Sequence, residues 1–237
     1  MPVGEASALA RDPGLGIVVG LRAEAKLART LFPAAMIGIS GATPDGARRA
    51  VSGLLAQGAT RLLSFGLAAG LDPDLRAGDV LLPDAVVVDG ARLPTDPGLR
   101  ALLAAGRTIA PPSPRTLPSL DLLLHSDMLV TEVATKALLL ARSGCRSLDM
   151  ESGPVALAAT RAGIPFAALR AICDPADRTL PPAACIALRP DGRLKALQVL
   201  GSILRRPGQL PTLLALGRDA SRAKWALLDV SLGSPPR

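Results

Sequence analysis

The chain contains few of the side chains on which several common functions depend. Aromatic residues make up only 2% of its 237 residues, with three Phe, one Trp and no Tyr. This disfavours a protein that reads nucleic acid by stacking bases on aromatic rings. The single histidine, His125, cannot form a multi-histidine metal site, and a serine–histidine–aspartate triad would have to use that one residue.

Cysteine is also scarce, and long apolar runs are missing. The three cysteines lack a C-x-x-C spacing; they are Cys145, Cys173 and Cys185. They do not form a disulfide framework, and they indicate a reducing compartment. Glu5 and Arg11 interrupt the stretch where a signal peptide needs an apolar core. No uncharged apolar run approaches the ~20 residues that span a bilayer. We therefore predict a cytoplasmic protein.

The composition is that of a folded chain with a basic balance. Hydrophobic residues account for 49% and charged residues for 20%, which excludes a disordered chain. A chain of this length can bury roughly 70% of its unfolded surface as one domain, so we predict a single domain over residues 1–237. The net charge of +7 fits an anionic partner such as phosphate, nucleic acid or an acidic membrane, and it equally serves solubility.

Short apolar runs alternate with helix-forming segments along most of the chain. The predicted strands cover residues 15–20, 36–40, 61–65, 80–82, 85–88, 122–124, 147–150 and 164–173, and residues 126–129 are predicted as a loop. The predicted helices cover residues 21–31, 43–57, 131–143 and 153–162. Several strands are apolar throughout, as in sheets covered on both faces. We predict an α/β fold, a three-layer α/β/α sandwich, with ligands at the carboxyl ends of the strands.

The C-terminal region, about residues 193–230, is amphipathic and basic. It combines apolar residues with Arg205 and Arg206, and Trp225 follows. Two interpretations are open. The region forms two helices that pack on the core and are broken at Pro207 and Pro211, or it lies on an anionic membrane.

Five acidic residues stand at or just after predicted strand ends: Glu24, Asp127, Asp149, Glu151 and Asp174. A buried carboxylate is costly unless it is paired, so acids in these places are candidates for chemistry. Helix capping is the alternative, because it favours the same places. Asp174 follows a strand that is apolar on both faces and precedes Pro175. We therefore expect the pKa of the Asp174 carboxyl group to be raised, which suits a general acid.

The glycine-rich stretch 66–70 also follows a predicted strand. Its backbone N–H groups could face an anion or a sugar, although a plain tight turn explains the glycines equally well. The stretch matches neither the dinucleotide-binding nor the P-loop spacing. His125 and Cys173 have no partner in a recognisable motif, and we interpret them as structural residues.

Five segments together carry a resemblance to a known family. They are GLRAE at 20–24, SFGLAAGLDPDLRAGDV at 64–80, SDML at 126–129, LDMES at 148–152 and RAICDPAD at 170–177. Over about residues 15–190 the chain resembles the superfamily of purine nucleoside phosphorylases and methylthioadenosine/adenosylhomocysteine nucleosidases. Segments 174–182 and 204–211 are similar to its hopanoid-associated branch. That branch is thought to remove adenine from adenosylhopane, an adenosine with a triterpenoid at its 5′ carbon.

The resemblance assigns roles to individual residues. Asp174 matches the general acid that protonates the purine at N7. Glu151 matches the residue that hydrogen-bonds the ribose hydroxyls, and Met150 the residue that packs beneath the sugar. Glu24 matches the acid that positions or activates water in the nucleosidases. The expected reaction passes through an oxocarbenium-like state and requires no metal and no cofactor.

Other residues assigned by the resemblance would contact the substrate. Leu129 stands where the family often has an aromatic residue against the base, so this wall would be apolar without a ring. Ala68 and Ala69 fall in the backbone segment near the ribose. The resemblance also implies a homo-oligomer whose pocket is completed by a neighbouring subunit.

The nucleophile separates two versions of the reaction. Phosphorylases of this superfamily hold inorganic phosphate with an arginine in the first loop and a Ser or Thr in the glycine-rich loop. Arg22 suits the first role, but Leu67 stands at the second position and cannot bond phosphate; Ser64 comes three residues early. Glu24 would also repel phosphate, so we predict hydrolysis by water.

Three alternatives remain open beside hydrolysis. The first is phosphorolysis of the same bond. The second is a nucleoside-binding module without catalysis, in which the acids only orient a ligand. The third is a protein driven to an anionic membrane or nucleic acid by its positive charge, for which a steep salt dependence would be the sign.

Overall fold

The computed structural model describes residues 9–105, 107–111, 120–181, 184 and 207–229. Within these ranges the chain forms one nine-stranded mixed sheet. Its strands are β1 (Leu15–Val19), β2 (Met36–Ile39), β3 (Arg61–Gly70), β4 (Val80–Leu81), β5 (Ala85–Val88), β6 (Ala91–Pro94), β7 (Leu122–His125), β8 (Ser147–Asp149) and β9 (Phe166–Asp174).

Helices follow most of these strands. They are α1 (Arg22–Leu31), α2 (Pro44–Ala56), α3 (Pro97–Ala104), α4 (Val133–Ser143), α5 (Ser152–Ala162) and α6 (Leu210–Leu228), the last preceded by a 3₁₀ turn at Pro207–Gln209. Local sequence sets several ends. The Thr43 hydroxyl accepts a hydrogen bond from the Gly46 N–H at 3.1 Å and caps α2. Gly144 and Gly163 end α4 and α5 in the left-handed conformation, which glycine adopts without strain.

The sheet consists of two parallel blocks that meet at the end of β3. The first block has the order β2-β1-β3-β9, and the second has the order β8-β7-β5. The last residues of β3 pair antiparallel with β8, with Ala69 opposite Leu148. Strands β4 and β6 add antiparallel pairs to β9 and β5. The carboxyl end of β3 therefore lies between the ends of β9 and β8.

Helices cover both faces of the sheet. Ile17 and Val19 of β1 pack in a cluster with residues of α1, α3 and α6, whereas Val18 packs in a cluster with residues of α2 and α5. This alternation follows from the opposite directions of successive side chains in a strand. The predicted three-layer α/β/α sandwich is confirmed.

The largest difference from the predicted elements concerns the glycine-rich stretch. We expected the third strand to end at Phe65, but β3 continues to Gly70 because residues 62–69 pair in parallel with β9. Residues 128–130 belong to the loop that connects β7 to α4. Residues 91–104, for which the sequence indicated no firm assignment, form β6 and α3.

The C-terminal helix packs on the core. Ala223 and Leu227 of α6 are fully buried in the cluster that includes β1, β3 and β9. Pro211 does not break the helix, because it lies in the first turn, where its missing N–H would have no partner. The first part of the predicted basic region, residues 193–206, lies outside the described residues. In the described ranges no helix is long and apolar enough to cross a bilayer.

Candidate functional site

Glu24 lies at the centre of a cluster of polar groups at the carboxyl ends of the strands. Its side chain is buried, although it belongs to the first turn of α1. Oε2 accepts a hydrogen bond from the Leu21 N–H at 2.7 Å, and Oε1 accepts one from the Leu67 N–H at 2.9 Å. The carboxylate therefore caps its own helix and also joins α1 to β3.

Glycine brings the backbone close to two carboxylates. A Cβ at Gly20 would lie 3.0 Å from Glu151 Oε1 and 3.1 Å from Glu24 Oε2. A Cβ at Gly66 would lie 2.6 Å from Glu24 Oε1. The carboxylates of Glu24 and Glu151 thus converge above the turn from β1 to α1, and a larger residue at either glycine would displace them.

One buried cation serves this acidic cluster. Arg170 of β9 is fully buried, and its Nη2 lies 2.5 Å from Asp149 Oδ2 and 3.7 Å from Glu151 Oε2. Nη2 also donates to the Ser64 hydroxyl at 2.5 Å. Its charge lowers the pKa of both Glu24 and Glu151. Arg170 therefore links β9, β8 and the start of α5.

Asp149 and Glu151 divide two tasks at the start of α5. Asp149 accepts hydrogen bonds from the Ser152 N–H at 3.1 Å and from the Ser152 hydroxyl at 2.5 Å, so it caps the helix. Glu151 occupies the N-cap position but makes no capping bond. Its Oε1 accepts a hydrogen bond from the Ser40 hydroxyl at 3.3 Å. The helix-capping alternative therefore holds for Asp149 and not for Glu151.

Burial raises the pKa of both glutamates. For Glu151, burial and then the nearby charges of Asp149 and Glu24 raise the pKa to about 7, against the lowering effect of Arg170. For Glu24, burial raises the pKa, while Arg170 and the backbone N–H bonds lower it. Perturbed carboxyl groups in one cluster are typical of functional sites.

Asp174 ends β9 in a second buried group of charges. It is opposite Ala69 of β3 and only 4% exposed. The Lys136 ammonium of α4 forms an ion pair with Oδ2 at 2.7 Å, and neither oxygen of this carboxyl group accepts a well-aligned hydrogen bond among the described residues. Burial raises the pKa of Asp174 and Lys136 lowers it, with a net rise. The raised pKa expected from the sequence is confirmed.

The two groups of charges share one edge of the sheet. Ala69 is the pairing partner of both Asp174 and Leu148, and Leu148 immediately precedes Asp149. Between the groups, the Cys173 thiol has its pKa raised to about 12 by burial and then by the charges of Asp174 and Glu24. Such a thiol stays protonated, which agrees with a packing role.

The remaining predicted residues lie around this edge. Ala68 is buried in β3, Ala69 and Met150 are half-buried, Leu129 is 46% exposed in the loop before α4, and Arg22 is exposed at the first position of α1. Their contacts with a substrate stay predictions. Asp127 lies apart from the acidic cluster: its side chain is exposed, with Oδ1 3.4 Å from His125 Nε2 and 3.7 Å from Arg48 Nη2.

Sequence reasoning missed two buried cations. Arg170 lies in the segment 170–177 that carries the family resemblance, but the resemblance assigned it no role. An arginine inside a strand that is apolar on both faces nevertheless indicates buried acids. Lys136 lies in a predicted helix, and no motif assigned it a functional role. The helical spacing places it on one stripe with Leu139 and Leu140, which pack on the sheet.

In the described part of the chain, no group of three or more His, Cys, Asp or Glu side chains is arranged to hold a metal ion. That the reaction uses no metal and no cofactor stays a prediction from the resemblance.

Comparison with solved structures finds the same fold in nucleosidases. Futalosine hydrolase of Helicobacter pylori strain 26695 superposes with a TM-score of 0.61 at 16% identity, covering 91% of this chain and 96% of that one. The 5′-methylthioadenosine/S-adenosylhomocysteine nucleosidase of Helicobacter pylori, in complex with a pyrrolopyrimidine compound, gives a TM-score of 0.61 at 18% identity, covering 90% and 95%.

The corresponding nucleosidase of Neisseria meningitidis, in complex with methylthio-immucillin-A, gives a TM-score of 0.60 at 16% identity, covering 92% of this chain and 99% of that one. At these identities the likeness shows a shared fold. In the comparison with curated protein sequences, none matches this chain.

The family model of the phosphorylase superfamily matches residues 34–205, which include Ser64, Asp149, Glu151, Arg170 and Asp174. This match covers well over half of the chain and agrees with the fold. The chain belongs to the phosphorylase superfamily.

Proposed function

We propose that the protein is a nucleosidase that hydrolyses the N-glycosidic bond of a 5′-substituted adenosine and releases adenine. The observation that carries this proposal is the position of Glu24. Its carboxylate already accepts the hydrogen bonds of the Leu21 and Leu67 N–H groups. Backbone N–H groups of this kind bind anions, and here a side-chain anion occupies them. Inorganic phosphate would therefore find these donors already occupied, and beside the ionised form of Glu24, the form that can accept a proton, it would also meet a negative charge.

The leaving base needs a proton, and Asp174 is placed to give it. As the bond between the ribose C1′ and the purine N9 breaks, its electron pair passes into the purine ring. A proton then moves from Asp174 to the purine N7. Burial favours the protonated form of Asp174, which is the form a general acid needs. Groups in this role typically contribute about 10²–10⁴-fold in rate.

The ribose becomes positively charged while the base leaves. Glu151 accepts hydrogen bonds from the ribose hydroxyls, and these bonds strengthen as the oxocarbenium charge develops. Water attacks C1′ and gives its proton to Glu24. Arg170 and the Leu67 N–H hold these acids in place. The products are adenine and a free sugar that retains its 5′ substituent.

The substrate class comes from the resemblance to the hopanoid-associated branch. We propose adenosylhopane as the substrate and hopanoid biosynthesis as the pathway. The loop before α4 exposes two apolar side chains, Leu129 of the predicted base wall, which is 46% exposed, and its neighbour Met128, which is 75% exposed. Such side chains favour contact with an apolar 5′ group.

The same substrate would be held in a membrane, so we propose a cytoplasmic homo-oligomer with peripheral membrane contact. Helix α6 presents Leu214 and Trp225 to solvent, 60% and 72% exposed, together with basic residues such as Arg222. A basic and apolar surface of this kind favours an anionic membrane. Co-sedimentation with anionic vesicles tests the contact. Equal activity on detergent-dispersed and vesicle-held substrate, without co-sedimentation, would count against it.

The direct test is mass spectrometry of the products from a panel of 5′-substituted adenosines in ¹⁸O-labelled water, with and without phosphate. We expect free adenine and a sugar with one ¹⁸O atom, independent of phosphate. A sugar 1-phosphate formed only with phosphate would instead establish phosphorolysis. Binding without release of base would establish a nucleoside-binding module. The Asp174→Asn variant serves as the control for adventitious hydrolysis.

A further inference from the structure

Lys136 is the only buried side chain of α4. Its Nζ lies 2.7 Å from Asp174 Oδ2 and donates hydrogen bonds to the backbone carbonyl oxygens of Pro175 and Arg178, each at 2.9 Å. An ammonium group has three protons and no acceptor site. Two of these protons therefore bind carbonyl oxygens of the segment after β9, and together with the ion pair to Oδ2 these contacts fix the charge in one position.

A fully buried ammonium is costly, and the surrounding helix does not require one. Burial of a charge is unfavourable unless it is paired and hydrogen-bonded, and a well-packed apolar side chain is often as stabilising as a buried pair. Leu139 and Leu140, on the same stripe of α4, are apolar. The pairing with Asp174 thus suggests a role in chemistry rather than in packing.

We propose that Lys136 is a positioning residue for the general acid: it holds Oδ2 of Asp174 and directs the acidic proton to Oδ1. This inference rests on the proposed function. A proton on Oδ2 would point at an ammonium that can only donate. The proton therefore resides on Oδ1, the oxygen that has no ammonium in ion-pair contact with it among the residues described.

The same contact assists the transfer itself. When the proton leaves Oδ1 for the purine N7, the carboxyl group becomes a carboxylate beside the fixed Lys136 charge. The attraction between them is therefore stronger after transfer than before it. An interaction that strengthens along the reaction raises kcat rather than substrate affinity.

Lys136 is also the charge nearest to Asp174, and it therefore influences the pH range over which Asp174 stays protonated. The titratable and charged groups around Asp174 are Lys136 from α4, Arg178 and Asp177 from its own loop, Cys173 from β9 and, across that thiol, Glu24 from α1. Lys136 contributes the largest lowering effect on the pKa of Asp174. Removal of this charge should keep Asp174 protonated to higher pH.

The test compares Lys136→Met and Lys136→Arg with the wild type and with Lys26→Met, a control at an exposed lysine of α1. For Lys136→Met we expect kcat to fall about 10²-fold, with KM changed only a few-fold, and the basic limb of the pH profile to move to higher pH. In Lys136→Arg the basic limb of the pH profile should lie where it does in the wild type. Only part of kcat should be retained, because the planar guanidinium group cannot reproduce the contact geometry of the lysine ammonium. Lys26→Met should match the wild type.

Two results would overturn the inference. One is a basic limb that does not move in Lys136→Met, whatever happens to kcat. The other is a full wild-type kcat in Lys136→Arg, which would show that charge alone suffices; this result remains informative if Lys136→Met does not fold. If the wild type releases no base from any nucleoside, the proposed function fails. If the wild type is active and Lys136→Met equals it, only this inference fails.

Discussion

Gly66→Ala is the substitution that most directly tests the geometry of the site. Gly66 has a φ of +152°, a conformation that residues with a side chain rarely adopt. Its missing Cβ leaves room for Glu24 and Arg170: a methyl group there would lie 2.6 Å from Glu24 Oε1 and 2.9 Å from Arg170 Nη1. Both neighbours are buried and held by other bonds, so neither can move away easily.

The expected cost combines two effects. A residue in an unfavourable backbone conformation costs about 1–3 kcal/mol, and overpacking of a buried site costs about 1–3 kcal/mol more. Gly53→Ala is the matched control, because Gly53 lies inside α2 with no atom near its missing Cβ. There, alanine should stabilise the helix by about 0.5–1 kcal/mol. The same chemical change should therefore act with opposite signs at the two positions.

Urea denaturation followed by circular dichroism measures both free energies of unfolding, and release of base at low urea measures activity. We expect Gly66→Ala to be less stable and to lose most of its activity, while Gly53→Ala keeps full activity. A Gly66→Ala variant with unchanged stability and turnover would refute the close packing of Glu24 and Arg170 against this backbone.

Three further predictions concern the acids. Asp174→Asn should lower adenine release about 10²–10⁴-fold with an unchanged circular dichroism spectrum; near-normal turnover would remove Asp174 as the acid. Glu24→Gln should lower hydrolysis by a similar factor, and added phosphate should not restore it; phosphate-dependent recovery would favour a phosphorylase site. Because the pKa of Glu151 rises from 4.5 to about 7 on folding, the folded state binds more protons within this range. The free energy of unfolding should therefore fall as the pH rises through it, and less so in Glu151→Gln; equal slopes in urea titrations would contradict the raised pKa.

The layers of the fold followed from the sequence because the central strands are apolar on both faces. Residues 15–20 are one such run, and the observed β1 is Leu15–Val19. The end of β3 could not be predicted in this way. Residues 66–70 have a glycine-rich composition that is typical of a loop, but pairing with β9 and β8 makes them a strand. Tertiary pairing here overrides local preference.

The acidic half of the site was predictable from the positions of carboxylates after strands. The sequence left helix capping and function as alternatives, and the structure shows that a capping residue can also lie in the candidate site. Glu24 caps α1 with Oε2 while Oε1 binds the Leu67 N–H. The basic half was not predictable in the same way. The roles of Arg170 and Lys136 depend on acids from other elements, and no local pattern of a single segment encodes those contacts.

The distribution of charge along the sheet edge supports the proposal that water, rather than phosphate, is the nucleophile. On the proposed ribose side, one cation, Arg170, faces the three carboxyl groups of Glu24, Asp149 and Glu151, so acids are in excess of the cation, although burial raises the pKa of both glutamates. In the proposed mechanism, the ionised acids of this excess would stabilise a positive ribose and repel a phosphate anion. On the proposed base side, Lys136 pairs with Asp174, so the acid can give up its proton without creating an unpaired buried charge. The two sides therefore favour opposite charges in the substrate, which is the polarity of a breaking N-glycosidic bond.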